Sequence, residues 1–399
     1  MEIKVRRLRN IINNQNEQLI EENNNFLASL NDLIFEEDIL LVDDAKDPLF
    51  EIIFVETGGS ETQFLKLFDE LPRSIVLLSN GKNNSLPASF EIKTYAENHG
   101  KIVHLFTGEE SFIADCIKYH AKIVSTVEKV RHSSLGVIGE PSDWLIASKV
   151  DSQEVEQKFG INLVKITGEE LSKEIKKKKY DKVPHLSQLQ KKYKDPKILE
   201  GALYIYGALK RLMEKYNLSG FTIRCFDLLG EFKNTACLAL ALLNEEGIVA
   251  TCEGDVPSML TMYFVKAITG LNSFQANPSR FDFPNHKLLL SHCTLPLNMV
   301  SKYELPTHFE SGLGVAIKGE MKLGKCTICK LWPDLNHFTC FVGEIKENLS
   351  LPGYCRTQID VEFDEDDLAT LFDENFGNHL IICYGDIANL FIIFMRFMQ

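Results

Sequence analysis

No run of apolar residues in this 399-residue chain reaches membrane-spanning length. The longest candidate, residues 387–398, is too short and is bracketed by Asp386 and Arg396. The start of the chain, Met1-Glu-Ile-Lys-Val-Arg-Arg-Leu-Arg9, has no apolar core behind it, only an Asn/Glu-rich stretch, so no secretory segment is expected. Positive charge is also scarce: 43 Lys and Arg against 56 Asp and Glu, a net −13. That balance argues against nucleic acid, whose affinity rests on neutralised phosphates. The one basic run, residues 173–182, is short and interrupted by acids, and reads as a solvated helix face or loop. Neither GxGxxG nor GxxxxGK[ST] occurs, so dinucleotide and Walker-type phosphate sites are not expected. The ten cysteines are scattered and form no disulfide-type framework. Cys326-Thr-Ile-Cys329 has no second CxxC to complete a four-thiolate site, and in a strand its two thiols point to opposite faces. The expectation is a cytoplasmic protein with reduced thiols and neither a membrane nor a nucleic-acid partner.

What is present is alternation. Apolar runs at 38–42, 51–55, 74–79 and 101–106 are separated by amphipathic stretches such as 61–71 and 86–97, which predicts a parallel sheet flanked by helices. A helix from Ser111 to about Arg131 leads out of this unit. A second α/β unit opens at Ser134-Leu-Gly-Val-Ile-Gly139. It contains a long helix over 197–216, closed by Asn217 and Gly220, and runs to the helix Val256–Ile268. From about Leu271 the pattern becomes short strands with Gly/Pro/Asn turns (287–290, 314–319, 326–331, 338–342, 355–361), predicting a mostly antiparallel β domain with a terminal helix. The expected division is 1–131, 132–270 and 271–399.

Three strand ends concentrate the chemistry. Gly247-Ile-Val-Ala-Thr-Cys-Glu-Gly-Asp255 ends on two carboxylates, Lys287-Leu-Leu-Leu-Ser-His292 ends on a histidine, and Asn378-His379-Leu-Ile-Ile-Cys-Tyr384 begins on one. Hard divalent ions accept carboxylate oxygen and tolerate imidazole, leaving positions for substrate oxygens. With a sugar's O1 and O2 in those positions, a carboxylate can move a proton between C1 and C2 through an enediol, with no organic cofactor. Mn²⁺ is the expected ion, with Mg²⁺ or Co²⁺ as alternatives. The plainer alternatives are that Asp255 caps the helix that follows, that each histidine is a hydrogen-bonded core residue, and that Asn378-His379 is turn punctuation.

At these residues the chain resembles the L-arabinose/L-fucose isomerase superfamily, in particular its compact fucose isomerase-like branch. Thr251-Cys-Glu253-Gly-Asp255 stands where that superfamily has a ligand Glu in Ala-Glu-Gly-Asp. Leu290-Ser-His292-Cys matches a Gly-Ser-His strand end, and Gly377-Asn-His379-Leu a C-terminal Gly-x-His-His. The resemblance covers residues 134 to the C-terminus and, more loosely, the first unit. It implies two Rossmann-like layers and a β barrel, a metal held by Glu253, His292 and His379, an aldose–ketose isomerisation of a pentose, 6-deoxyhexose or related sugar, and a trimer or hexamer with sites shared between subunits. One departure matters: the superfamily's second acid falls near Asn277 here, leaving Asp255 or Asp282 to replace it as catalytic acid. Two further readings stay open, a non-catalytic sugar-binding relative and a metal-dependent hydrolase or lyase on a polyol derivative.

Other polar residues are candidates for substrate contact. Asn83, Asn84 and Ser85 follow a first-unit strand, where the superfamily's substrate loops from a neighbouring subunit lie, although Ser85 also suits a helix cap. Trp144 suits stacking on a sugar face or local packing. His308 and Arg356 lie in the β domain; Arg356 suits an anionic substituent such as a sulfonate or carboxylate, or a structural ion pair.

Overall fold

A computed structural model describes residues 1–46, 48 and 50–398. The chain forms two compact units, Met1–Glu128 and Lys129–Gln399.

The first unit is a parallel sheet of β1 (Glu2–Leu8), β2 (Leu40–Val42), β3 (Glu51–Val55), β4 (Ser74–Leu78) and β5 (Ile102–Phe106), in the order β2-β1-β3-β4-β5. Its middle strands are near-continuous apolar runs, as expected of parallel strands covered on both faces. β1 is the strand that sequence reading missed. Lys4, Arg6 and Arg7 break its apolar run, and only Ile3, Val5 and Leu8 are buried. It nevertheless lies between β2 and β3, because Arg6 pairs with Glu51 and Arg7 with Glu56, so charge is carried into the sheet already neutralised.

The second unit opens with a parallel sheet of β6 (Ser134–Ile138), β7 (Asn162–Ile166), β8 (Gly220–Ile223) and β9 (Val249–Cys252), in the order β7-β6-β8-β9. Then come β10 (Phe274–Asp282), β11 (Lys287–His292), β12 (Val300–Glu304), β13 (Lys318–Met321), β14 (Gly324–Leu331), β15 (Phe338–Asn348), β16 (Thr357–Glu362) and β17 (Leu380–Tyr384). Six of these close an antiparallel barrel, β10-β11-β16-β15-β14-β17, while β12 and β13 form a separate ribbon. The fold class is the predicted one: two parallel α/β layers followed by an antiparallel barrel. The strand expected at 314–319 begins only at Lys318, since the buried residues 315–317 are not in strand conformation. β10 was not anticipated, because Pro278 and a register shift between Pro278 and Arg280 disguise its pattern. Among the described residues no helix is long and apolar enough to cross a membrane.

Sheet and barrel of the second unit share one apolar core, running from Ile138, Phe221 and Ala250 to Leu290, Ile328 and Ile382. Two helices build the sheet side of it. Pro196–Tyr216 starts on Pro at its first turn, with Asp195 accepting from the Lys197 and Ile198 amides, and ends on Asn217 in left-handed conformation. Cys237–Glu245 is buried along residues 237–244, which is why it is apolar all round.

β9 lies at the edge of its sheet, yet all four of its residues are buried. Side-chain amides stand in for a neighbouring strand: Asn244 bonds the Ala250 carbonyl and amide (2.6 and 3.2 Å), and Gln275 of β10 accepts from the Cys252 amide at 2.8 Å. The backbone polar groups of a buried edge are thereby satisfied. The barrel is fastened against the end of β9, one residue before Glu253.

Candidate metal centre

The turn after β9 is built from two left-handed residues, Glu253 (φ +67°) and Gly254 (φ +72°). Only glycine fits at 254, because a Cβ there would lie 2.7 Å from the Glu140 carbonyl oxygen and Pro141 Cα. The Gly254 amide donates to the Ile223 carbonyl (3.0 Å) and the Glu253 carbonyl accepts from the Ser142 amide (2.9 Å). The turn throws the Glu253 side chain beyond the strand end and starts the helix Val256–Thr269, which Asp255 caps through the Ser258 amide at 2.9 Å. A left-handed glutamate is costly backbone, of the kind that collects at functional sites. His379, just ahead of β17, is left-handed too (φ +58°).

Glu253, His292 and His379 converge: one ligand atom from each lies within 4.8 Å of the others, and all three residues are buried. Glu253 Oε1 stands 3.7 Å from His292 Nε2 and 3.6 Å from His379 Nε2, too long for hydrogen bonds and within the span of an ion that binds each at about 2.1 Å. The outer nitrogens of both rings are committed. His292 Nδ1 lies 3.0 Å from Thr294 Oγ1, and His379 Nδ1 donates to Asp255 Oδ2 at 2.8 Å. His379 Nε2 is a buried nitrogen with no hydrogen-bond partner. One carboxylate oxygen and two inward imidazole nitrogens, each ring fixed from behind, fit a divalent cation. Trp144 Nε1 donates to the other oxygen, Glu253 Oε2, at 2.7 Å.

The charges are coupled. Burial works against ionising Glu253, but His379 and His292 hold its carboxyl well below the usual range. Burial likewise opposes a charged His379, and the Glu253 and Asp255 carboxylates outweigh it, raising its pKa to about 9.

Asp255 is not aimed into the centre. It is fully buried and saturated: the Ser258 amide and hydroxyl, the Lys330 ammonium (3.1 and 3.4 Å) and His379 Nδ1 occupy its two oxygens. Of the two expected roles the structure shows the helix cap, and beside it a contact with His379 Nδ1. Asp282 does not join the centre either. It pairs with Lys287 at the turn end of the β10–β11 hairpin, while His292 ends β11 five residues on, about 17 Å along the strand. Its carboxylate bonds Asn285 Nδ2 at 2.9 and 3.1 Å. Asn277 pairs with Ser291, the neighbour of His292. Among the described residues no second carboxylate joins the cluster.

Trp144 is half exposed, and its ring meets Phe226 edge-on at 4.7 Å. Phe226 in turn meets His308 at 5.4 Å. His308 is buried with Nδ1 3.0 Å from Ser311 Oγ; burial, with His292 nearby, pushes its pKa down to about 4. Arg356 serves that same loop, donating from Nε to the Thr307 carbonyl (2.7 Å) and from Nη2 to Thr307 Oγ1 (3.3 Å), a carbonyl and a hydroxyl rather than the ion pair considered above. Asn83, Asn84 and Ser85 belong to the first unit. Both asparagines are left-handed, at +52° and +57°. Ser85 is the first residue of the helix Ser85–Asn98 rather than its cap, its hydroxyl bonded to Ser79 Oγ (2.9 Å).

Sequence reading missed Thr294, Gln275 and Lys330. Thr294 had a signal, two residues past His292. Lys330 had a better one: alternation puts it on the same strand face as the buried Cys326 and Ile328, a lysine in an apolar row.

No protein-family model matches the chain. Among curated proteins it is similar to sulfoquinovose isomerases. It is 22% identical over 289 residues to that of Alkalicoccus urumqiensis, covering 67% of this chain and 63% of that protein. It is 20% identical over 324 residues to that of Priestia megaterium (strain ATCC 12872 / QMB1551), covering 76% and 72%. For Clostridium sp. (strain MSTE9) the match is 23% over 201 residues, 46% and 44% of the two chains.

Proposed function

We propose that this chain, a distant member of the fucose/arabinose isomerase-like superfamily, is a divalent-metal-dependent aldose–ketose isomerase. The observation that carries the proposal is the convergence of Glu253, His292 and His379 with each imidazole fixed from behind. A bound divalent cation would polarise a sugar carbonyl and its neighbouring hydroxyl. His292 and His379 would hold it with Glu253 Oε1. As the carboxylate of the cluster, Glu253 would also move the proton between C1 and C2, its Oε2 kept in place by the Trp144 indole. His308, Arg356 and Trp144 are proposed to meet the distal part of the sugar, and Asn83, Asn84 and Ser85 to serve the centre of a partner subunit in a homo-oligomer. Because the similar proteins are sulfoquinovose isomerases, a sulfonated aldohexose is the first substrate to test. The division at 131 and 270 is part of the same proposal, with the carboxylate coming from the middle segment and both imidazoles from the last.

The saturation of Asp255 and the position of Asp282 favour one second reading, a sugar-binding relative without catalysis. Ketose formation measured with Mn²⁺ over pentoses, 6-deoxyhexoses and sulfonated aldoses separates the two. Turnover that falls about 10³-fold in Glu253→Gln supports the isomerase. Binding of sugar without turnover across the panel supports the second reading, and turnover indifferent to Glu253→Gln rules out the mechanism.

A further inference from the structure

Lys330 is the single buried lysine among the described residues, with no exposed surface at all. It stands on β14 at the end of the row Cys326, Ile328, Lys330, where the first two side chains belong to the apolar core. Its Nζ lies 3.1 and 3.4 Å from the Asp255 oxygens and 2.6 Å from Ser258 Oγ. Asp255 Oδ2 in turn accepts from His379 Nδ1 at 2.8 Å. A chain of polar contacts therefore runs from the barrel wall through the turn after β9 to the imidazole whose Nε2 faces Glu253.

Helix capping does not account for the lysine. The Ser258 amide at 2.9 Å already completes the cap, as at most helix N-termini, without a cation. Burying an ammonium costs several kcal/mol, and a well-packed apolar residue commonly serves stability as well or better. What the lysine adds is direction. With Lys330 and Ser258 gripping it from one side, the Asp255 carboxylate is left with one geometry in which Oδ2 faces His379, and the ring is held with Nε2 toward Glu253 Oε1 at 3.6 Å.

We infer that Lys330 is a positioning residue for the metal ligand His379, acting through Asp255 and never touching the ion. The inference rests on the metal reading above. Such outer partners commonly set metal affinity by 10- to 100-fold.

The test is Mn²⁺ titration of the purified full chain by calorimetry, with unfolding of the metal-free protein followed in parallel. Lys330→Met should weaken Mn²⁺ binding about 10- to 100-fold. Thr261→Val is the structural control: it removes the hydroxyl that accepts from the Leu331 amide (2.8 Å), loosening the same junction without touching Asp255. It should lower stability and leave Mn²⁺ affinity within about threefold, since it leaves the ligand support intact. The double variant Lys330→Met/Asp255→Asn should bind no more weakly than Asp255→Asn alone, because two residues acting through one contact do not add. Lys330→Met binding as the wild type does, or effects that add in the double variant, would overturn the inference while leaving the metal centre standing. Wild-type protein that binds no Mn²⁺ would remove both. Should Lys330→Met fail to fold, Ser258→Ala reads the same grip: a severalfold loss of affinity supports it, and unchanged affinity overturns it.

Discussion

Two buried carboxylates occupy matching places in the two units. Glu56 is the first residue past β3 and Glu253 the first past β9, each at the carboxyl end of a parallel strand. Each faces two basic side chains. For Glu56 these are Arg7 and Arg9, whose Nε atoms take one oxygen apiece. A guanidinium offers only donors and keeps its charge, so that set closes on itself. For Glu253 the partners are imidazoles that stand 3.6 and 3.7 Å from Oε1, with their Nδ1 sides turned away to Asp255 and Thr294. An imidazole, unlike a guanidinium, can release its proton as a cation binds and then has a lone pair to give. The same carboxylate position is thus a closed structural set in one unit and a cluster that could hold a cation in the other, and the partner chemistry, not burial, makes the difference.

The comparison breaks first at Glu56. Glu56→Gln leaves two part-buried guanidiniums short of a counter-charge and should cost the first unit about 3 kcal/mol in urea unfolding. Mn²⁺ affinity should be unchanged; a loss of affinity would mean that the two carboxylates are not independent.

The histidines sharpen the contrast through pH. His379 is raised by the carboxylates it faces, whereas His120 of the first unit is buried beside His104 and is pushed from 6.5 down to about 3. Below pH 6.5 the unfolded chain binds a proton that folded His120 refuses, so its contribution is complete above that pH and is lost as pH falls toward 3. Between pH 7 and pH 5 the first unit should lose about 2 kcal/mol. His120→Leu should flatten that slope, and a slope unaltered by the change would assign it to other groups.

The smallest effect tests how firmly Glu253 is held. Were the imidazoles to grip it as the arginines grip Glu56, the Trp144 indole would be dispensable. Trp144→Phe keeps an edge contact with Phe226 and removes the 2.7 Å donor, which should lower turnover about tenfold. A full rate in this variant would show that the carboxylate needs no indole.

These contrasts also mark what a linear reading can reach. Glu253, His292 and His379 were legible because each stands at the end of an apolar run, and strand ends survive in sequence as changes of pattern. The layered fold was legible from the same alternation. Of Asp255 only the helix cap was legible; its contact with Lys330, 75 residues further along the chain, was not. Asp282 misled because hairpin register, which a bulge after Pro278 shifts, decides which end of β10 meets His292. β1 was hidden by arginines whose partners, Glu51 and Glu56, lie more than forty residues away.

The central claim is that Glu253, His292 and His379 form one cation site and that the Glu56 set does not. Mn²⁺ titration of wild type, His379→Ala and Glu56→Gln tests it most directly. The account predicts one ion per chain in the wild type and in Glu56→Gln, and none in His379→Ala. Binding that persists undiminished in His379→Ala, or a wild-type chain that takes up no ion, would contradict it.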